Sequence, residues 1–511
     1  GVSYAGFIGA DNAGNSITLS SNNVAATNGT NTINFSTYAS NAVTVTGDFS
    51  FGGQTTNQNF TLTGAVNLGS ATRAINVDSA FVVAVMSGQI TSSGGGLTKT
   101  GNGILLLTNN TNNYTGATTV NAGILRLGMT SDNTTGAGAG NVLPSGTAVT
   151  IAAGAGLDLA GRSQTIASLS GAGFITSSAA NTGTGVLSTL TVGDSTSTTF
   201  SGVLTAATLA NLRLIKVGSG ELTLTGVSNF TGANTAATNA VTINGGTLSV
   251  SNLGNGGSGS GIGAASNAAL NIVIDGGTLK YIGVTNTSTD RGFTIGSTVA
   301  GATATIDASG SGSLTFAAAG GPIAYGTTNL ARNLILTGTS IAAVTNIFGK
   351  VIANNGTTAS GVTSLTKNGS NTWTLTAANT YTGATNVNAG TLVLSAGSLA
   401  NAATTNSTIN VNVANTATLA VTTAASGNYQ IGNAGTGATN GAVLNLAAGS
   451  SFTMANNDST GTVTINRNAA WVSGAGLIIG NSTVGAPTVR MSFDLGSTAN
   501  SADTIVLSDV T

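Results

Sequence analysis

One segment occurs three times along this chain of 511 residues, and the repetition limits the chain to a narrow group of folds. Residues 97–128 read LTKTGNGILLLTNNTNNYTGATTVNAGILRLG, and residues 365–394 read LTKNGSNTWTLTAANTYTGATNVNAGTLVL. A third, looser copy covers residues 214–250 and carries an insertion after Phe230. Repeats with a period of about 20 to 50 residues are typical of solenoids. One such unit cannot bury its apolar face alone, so the sequence predicts coils that stack on one another.

Each copy reads as two short strands separated by corners that carry glycine. In the last strand of the first copy, Leu125 and Leu127 alternate with Arg126, which predicts one buried and one solvent-facing side. The copies share a lysine before the first glycine, an aromatic residue two positions before a second glycine, and a glycine before the last strand. These positions are Lys99, Tyr114, Gly116 and Gly123 in the first copy, Lys216, Phe230, Gly232 and Gly246 in the second, and Lys367, Tyr381, Gly383 and Gly390 in the third.

These shared positions are interpreted as structural rather than catalytic. The glycines are expected at bends that require a permissive φ. The aromatic rings are interpreted as corner packing, because each precedes a bend; a ladder of rings that binds sugars is the alternative. The three lysines are interpreted as solvent-facing residues, and the alternative is that they discourage wrong lateral pairing at a coil edge.

The long motif resembles the autotransporter-associated β-strand repeat. That pattern runs from Lys-x-Gly-x-Gly through Leu-Thr-Leu and Asn-Thr-Tyr-Thr-Gly to Val-Asn-Ala-Gly-Thr-Leu, and it is matched best at residues 99–125 and 367–392. The resemblance implies a parallel β-helix in a secreted bacterial surface protein, and it brings no catalytic residue with it. We therefore predict an all-β fold, a right-handed parallel β-helix (β-solenoid) with inserted loops, running as one continuous solenoid over residues 1–511 and located outside the cell.

Alternation along the strands also predicts which side chains are buried. Arg126, Asp158 and Lys280 are expected on the outside. The predicted core positions are Leu105, Leu107, Val120, Leu125, Leu127, Leu222, Leu224, Leu248, Val250, Leu279, Leu375, Leu392 and Leu394.

Composition argues against several classes of partner. Only 5% of the residues are charged and the net charge is -1, so neither nucleic acid nor an anionic membrane is an expected partner. The longest apolar run, residues 81–86, is far shorter than a membrane span. The chain begins without Met, which leads us to expect a processed piece of a longer secreted precursor.

The chain offers few groups for catalysis. It contains no His and no Cys, which excludes Ser-His-Asp triads, Cys-His dyads and the common zinc sites. Glu221 is the only glutamate, and it is interpreted as a solvated outer residue. The pairs Asp275/Lys280 and Asp290/Arg291 come nearest to the acid and base groups of polysaccharide lyases, but they are interpreted as ordinary turn and strand residues. We expect no enzyme activity and no cofactor.

Two segments, residues 11–15 and 456–461, place oxygen-bearing side chains near a glycine, as calcium loops do. Neither has the ligand spacing of a dedicated calcium loop, so both are interpreted as Asx turns. No metal site is expected.

Three functions are compatible with these features. The one favoured by repetition and low charge is the shaft of an extracellular fibre, sheath or matrix that self-assembles head to tail, through residues 1–7 for example, or in lateral bundles. The second is an adhesin passenger that presents a carbohydrate-binding or surface-binding region, with cell-surface or matrix polysaccharide as partner. Residues 251–266 are the most irregular segment, although their composition is that of a flexible loop. The third is a β-helix enzyme that acts on polysaccharide.

Overall fold

A computed structural model gives the architecture, and the chain divides into two compact units. The first contains residues 1–193 and 198–212, and the second contains residues 194–197 and 213–511. The structure describes residues 18–20, 31–34, 43–52, 58–62, 64–128, 140–178, 187–205, 211–232, 239–296, 298–340, 344–395, 399, 409–422, 428–431, 442–454, 462–468, 477–480, 488–493 and 504–510.

The described part of the first unit consists of short strands joined by turns. In chain order the strands β1 to β21 are Thr18–Ser20, Asn31–Asn34, Val43–Thr44, Phe49–Gly52, Gln58–Leu62, Val66–Asn67, Arg73–Val77, Val82–Met86, Ile90–Thr91, Leu97–Thr100, Ile104–Leu107, Thr118–Val120, Ile124–Leu127, Ala148–Ile151, Gly156–Asp158, Gln164–Ile166, Ser168–Gly171, Phe174–Thr176, Leu187–Val192, Thr198–Phe200 and Val203–Leu204.

Strands of the first unit pair with their counterparts one coil away, and each described pairing is parallel. One sheet contains β1, β4, β7, β10, β12, β14, β17 and β20, and a second contains β2, β5, β8, β11, β13, β15, β18 and β21. The register stacks like residues: Leu105 pairs with Leu125, Leu125 with Leu157, and Leu157 with Ile175. All four are buried. Burial of such columns is the main stabilising contribution, because parallel coils place one apolar side chain above the next.

The described part of the second unit has the same character. Its strands β22 to β47 are Asn211–Lys216, Glu221–Leu224, Val241–Ile243, Thr247–Val250, Ile272–Ile274, Thr278–Tyr281, Thr287–Thr289, Phe293–Ile295, Ala302–Ala308, Leu314–Phe316, Ile323–Tyr325, Arg332–Thr337, Thr345–Phe348, Thr363–Lys367, Thr372–Leu375, Thr385–Val387, Thr391–Ser395, Ile409–Val413, Thr418–Thr422, Asn428–Ile431, Ala442–Leu446, Ser451–Thr453, Thr462–Asn468, Leu477–Ile479, Arg490–Ser492 and Thr504–Val510. Short 3-10 helices cover Ala269–Asn271 and Ala359–Gly361.

The described strands of the second unit form four sheets. The long sheet contains β23, β25, β27, β30, β33, β35, β37, β39, β42 and β45; the second sheet contains β28, β31, β34, β36, β38, β40, β43 and β46. The third sheet contains β22, β24, β26, β29 and β32, and the fourth contains β41, β44 and β47. Inside, aromatic rings follow one another from coil to coil: the ring centroids of Phe316 and Phe348 are 5.6 Å apart, and those of Phe348 and Trp373 are 6.4 Å apart.

The prediction of an all-β fold built from parallel stacked strands is confirmed. Every leucine and valine assigned to the core from alternation is buried. Of the three charged residues placed outside, Arg126 and Lys280 are partly exposed, but the prediction for Asp158 is wrong, because its side chain is 1% exposed and bonds Arg126 Nε at 2.8 Å. Buried carboxylates persist when they are paired. Right-handed winding and a single continuous solenoid stay predictions.

Candidate functional site

The three repeat lysines lie inside the coils, and their solvent-facing interpretation is wrong. Lys99 is 0% exposed, and its Nζ donates hydrogen bonds to the carbonyl oxygens of Thr100, Gly101 and Ala122 at 2.7, 2.8 and 3.1 Å. Two of these carbonyls follow the lysine and the third belongs to the next coil. The ammonium group therefore uses its three donors to join consecutive coils at one corner.

The other two copies repeat this arrangement. Lys367 Nζ donates to the carbonyl oxygens of Asn368, Gly369 and Ala389 at 2.7, 2.8 and 3.0 Å. Lys216 makes the equivalent contacts with Val217, Gly218 and Gly245 at 2.5, 3.2 and 3.5 Å. Burial lowers the pKa of Lys99 and of Lys367 to about 8. The sequence did contain a signal for this burial. Lys99 lies two residues after the buried Leu97 in the same strand, so both side chains face the same side of the sheet.

The repeat aromatic residues are buried inside the corners, which confirms their interpretation as corner packing. Tyr114 is 1% exposed, and Phe230 and Tyr381 are 0% exposed. The hydroxyls of Tyr114 and Tyr381 lie 2.6 Å from Thr118 Oγ1 and Thr385 Oγ1. In the second copy the ring has no hydroxyl, and the residue that takes the place of threonine is Val241. Rings buried in this way have no free face for a sugar.

The repeat glycines answer two different steric demands. Gly116 and Gly383 permit close approach: a Cβ at Gly383 would lie 2.3 Å from the carbonyl oxygen of Thr363. The remaining repeat glycines have φ between 57° and 74°, where L side chains are strained. They are Gly123, Gly232, Gly246 and Gly390.

Buried cations recur at other corners of the second unit. Arg332 is 2% exposed, and its guanidinium donates to the carbonyl oxygens of Ile295, Val299, Thr327 and Ala331. Lys350, also 2% exposed, donates to those of Asp290 and Ala319. With Arg291 and the three repeat lysines, six basic residues within the described ranges are buried on main-chain carbonyls. Much of the positive charge is therefore internal.

Residues 251–271 form an ordered lobe, which corrects the expectation of a flexible loop. Leu253 and Ile262 are buried within it, and Ser260 forms an isolated antiparallel bridge with Ser228. The guanidinium of Arg291 lies beneath the lobe and donates to five of its carbonyl oxygens, those of Gly254, Asn255, Ser258, Gly263 and Ala265, at 2.7 to 3.1 Å. Composition did not reveal this order because Arg291 comes from the following coil.

One charged cluster lies on the outer face of the long sheet. Lys280 pairs in register with Ser249 on one side and Asp307 on the other, and its Nζ lies 3.4 Å from both carboxylate oxygens of Glu221. Ser249 Oγ donates to Glu221 Oε1 at 2.5 Å. Burial raises the pKa of Asp307, which also accepts a hydrogen bond from Ser309. The ion-pair partner of Lys280 is thus Glu221, 59 residues away.

Elsewhere the outer faces carry uncharged polar side chains in rows. Asn412 Nδ2 donates to Asn386 Oδ1 at 2.8 Å, and Asn445 Nδ2 donates to Asn412 Oδ1 at 2.7 Å. In the first unit, Thr150 and Ser170 hydroxyls lie 2.9 Å apart on adjacent strands. These amide and hydroxyl rows satisfy one another and leave a neutral, hydrophilic surface.

The remaining expectations about sites concern metals, membranes and the N-terminus. Within the described ranges, no three His, Cys, Asp or Glu side chains gather where a metal could bind. The same described ranges contain no helix that is both apolar and long enough to cross a membrane. Residues 1–7, 11–15 and 456–461 lie outside the described residues.

Comparison with known proteins places the repeats in a recognised group. The model of the passenger-associated-transport-repeat family matches residues 97–127, 214–250 and 365–394. The adhesin BmaC autotransporter of Brucella suis biovar 1 (strain 1330) is 37% identical to the chain over 336 residues, which are 65% of this chain and 9% of that protein. The chain thus spans less than a tenth of the relative that it matches. No solved structure matches the chain.

Proposed function

Because this chain carries the passenger-associated-transport repeat of autotransporter-type proteins and belongs to the cell surface, we propose that it is an adhesive segment of a passenger. The similar Brucella suis protein is named an adhesin, and the similarity covers 65% of the present chain. In this proposal the stacked coils are a stiff support, and the outer faces and the lobe make contact with the target.

The observation that carries the proposal is that the charged lysines of the repeats are buried, whereas the outer faces carry uncharged polar side chains. Buried Lys99, Lys216 and Lys367 hold successive coils together, whereas the outer rows consist of asparagine, serine and threonine. Stacked parallel coils are quasi-one-dimensional, so the same surface is repeated along the stack. A repeated neutral surface suits a repeated ligand, because many weak contacts add through multivalency.

The partner that this surface suits is a polysaccharide at a cell surface or in a matrix. Few of the described basic residues lie outside the core, and two of these, Arg126 and Lys280, are already paired with carboxylates. A polyanion gains affinity by meeting unpaired Lys and Arg. Nucleic acid is therefore a poor fit for this surface, and a polysaccharide, which is rich in hydroxyl groups, is a better one.

We also propose that the segment is not an enzyme. Glu221 is engaged by Ser249 and Lys280, and Asp158 is engaged by Arg126 and Ser178. Carboxylates held in this way support the structure, whereas a general acid or base must reach a substrate.

Adhesion can be tested with beads that carry the purified chain. We expect such beads to attach to animal cells or to polysaccharide-coated surfaces more strongly than beads that carry an inert protein of similar size. Attachment no greater than that of the inert beads, on every surface, would refute the proposal. Static light scattering of the free chain tests the fibre-shaft function separately. Head-to-tail assembly would make the average molar mass rise with protein concentration.

A further inference from the structure

We propose that the lobe, residues 251–271, is the principal one of the surfaces through which this segment contacts its target, and that the ligand is an uncharged saccharide. The inference rests on the proposed adhesive function and names the site and the chemical class of its ligand.

The first argument is that the lobe is held more firmly than a connection requires. Residues 251–266 include six glycines, so the isolated segment would lose much conformational entropy on ordering. The guanidinium of Arg291 opposes that loss by bonding five lobe carbonyls. Its desolvation is costly, and burial lowers the pKa of Arg291 to about 10. The buried cation therefore maintains the shape of the lobe at a cost in desolvation.

The second argument is that neighbouring side chains fix the lobe at further points. Asp290 accepts a hydrogen bond from the main-chain nitrogen of Gly256 at 2.7 Å and another from Asn267 Nδ2 at 2.9 Å. The main-chain oxygen of Asp290 is in turn bonded by Lys350 Nζ at 3.0 Å. A surface ordered before binding loses little entropy when a ligand arrives, which favours affinity.

The third argument concerns the chemistry of the exposed side. Residues 251–271 contain no Asp, Glu, Lys or Arg. Asn252, Asn255 and Ser258 are exposed, and Val227, which is 56% exposed, lies against Gly259 at the border of the lobe. Amides and hydroxyls hydrogen-bond sugar hydroxyls, and an aliphatic border covers the apolar C–H face of a sugar ring. A sulfated or uronic-acid polymer would find no countercharge here.

The experiment measures binding of the full chain to immobilised polysaccharides by biolayer interferometry. The uncharged probes are a glucan, a mannan and a polymer of N-acetylglucosamine, and the charged probes are a sulfated and a uronic-acid polymer. The test variant is Asn252→Ala with Ser258→Ala, since both side chains are exposed. The matched control is Asn388→Ala with Ser219→Ala, which alters an exposed Asn and Ser away from the lobe.

We expect the unmodified chain to bind at least one uncharged polymer, the lobe variant to bind it at least tenfold more weakly, and the control to match the unmodified chain. Equal affinity of the lobe variant, while beads still adhere, would overturn the site and leave the adhesive function intact. Preference for a charged polymer, or adhesion to cells without binding to any saccharide, would overturn the ligand class. Failure of the unmodified chain to adhere to anything would instead remove the proposed function.

Discussion

Replacing Lys367 by methionine tests whether the buried repeat lysines hold the coils together. Methionine fills nearly the same space, but it offers no donor to the carbonyl oxygens of Asn368, Gly369 and Ala389. The three oxygens would then lie in a site from which water is excluded, because the lysine that they surround is 0% exposed. The replacement should therefore loosen the corner between two successive coils.

Two opposing effects set the size of the change. A buried carbonyl without a partner costs about 1 to 3 kcal/mol, which gives roughly 6 kcal/mol for three. The substitution also removes the cost of burying an ammonium group. Because the pKa of Lys367 is lowered from 10.5 to about 8, that relief is about 3 kcal/mol. The unsatisfied carbonyls outweigh the relief, and we expect a net local destabilisation of about 3 kcal/mol.

Native-state hydrogen exchange measures this loss where it occurs, since stacked coils open locally. The reporter is the amide of Asn388, which donates to the carbonyl oxygen of Lys367 at 2.9 Å. Its exchange should accelerate roughly a hundredfold. The control Lys280→Met removes an outer lysine whose ion pair is partly exposed, and it should cost less than about 1 kcal/mol. An unchanged exchange rate in Lys367→Met would show that the carbonyls find other partners and that the lysine does not join the coils.

Three further predictions concern the corners. Tyr381→Phe should destabilise its coil by about 1 to 3 kcal/mol, because it leaves the buried Thr385 hydroxyl without its hydrogen-bond partner. Adding Thr385→Val should restore part of the loss, since the second copy has Phe230 and Val241 at these two positions. The proteolytic susceptibility of the single and double variants measures the difference. Because burial raises the pKa of Tyr114 and Tyr381 above 10.0, the unfolded chain releases their protons first; the free energy of unfolding should fall as the pH rises past about 10, and tyrosinate absorbance should appear together with unfolding rather than before it. Gly390→Ala should cost about 2 kcal/mol or more, because φ is 64° and the new Cβ would lie 2.5 Å from carbonyl oxygens, whereas Gly146→Ala, which meets nothing within 4 Å, should be neutral in thermal unfolding.

The sequence by itself determined the class of fold and the inward face of its strands. Strand period alone placed Leu105, Leu125 and Leu392 in the core, because side chains of a strand alternate between two faces. Repetition required stacking, and stacking of like segments required parallel pairing, as in the register of Leu105 with Leu125. These inferences depend only on local backbone geometry and on apolar burial, so one chain segment is enough to make them.

Only the tertiary structure decided how the repeats use their polar groups. Strand alternation places Lys99 on the same side as the buried Leu97. A lysine is nevertheless expected to face water unless enough hydrogen-bond acceptors surround it. Its third acceptor, the carbonyl of Ala122, belongs to another coil, 23 residues away. The same holds for Arg291, whose five partners lie 26 to 37 residues earlier.

Tertiary structure also decided which side of the coil each copy occupies. In the second copy, Lys216 lies in β22 of the third sheet, whereas in the third copy Lys367 lies in β35 of the long sheet. The same part of the motif therefore lies in two different sheets of this unit. Local sequence fixes a strand and a corner, but the side that they occupy depends on the summed length of all preceding connections. That sum becomes visible only when the coils are stacked.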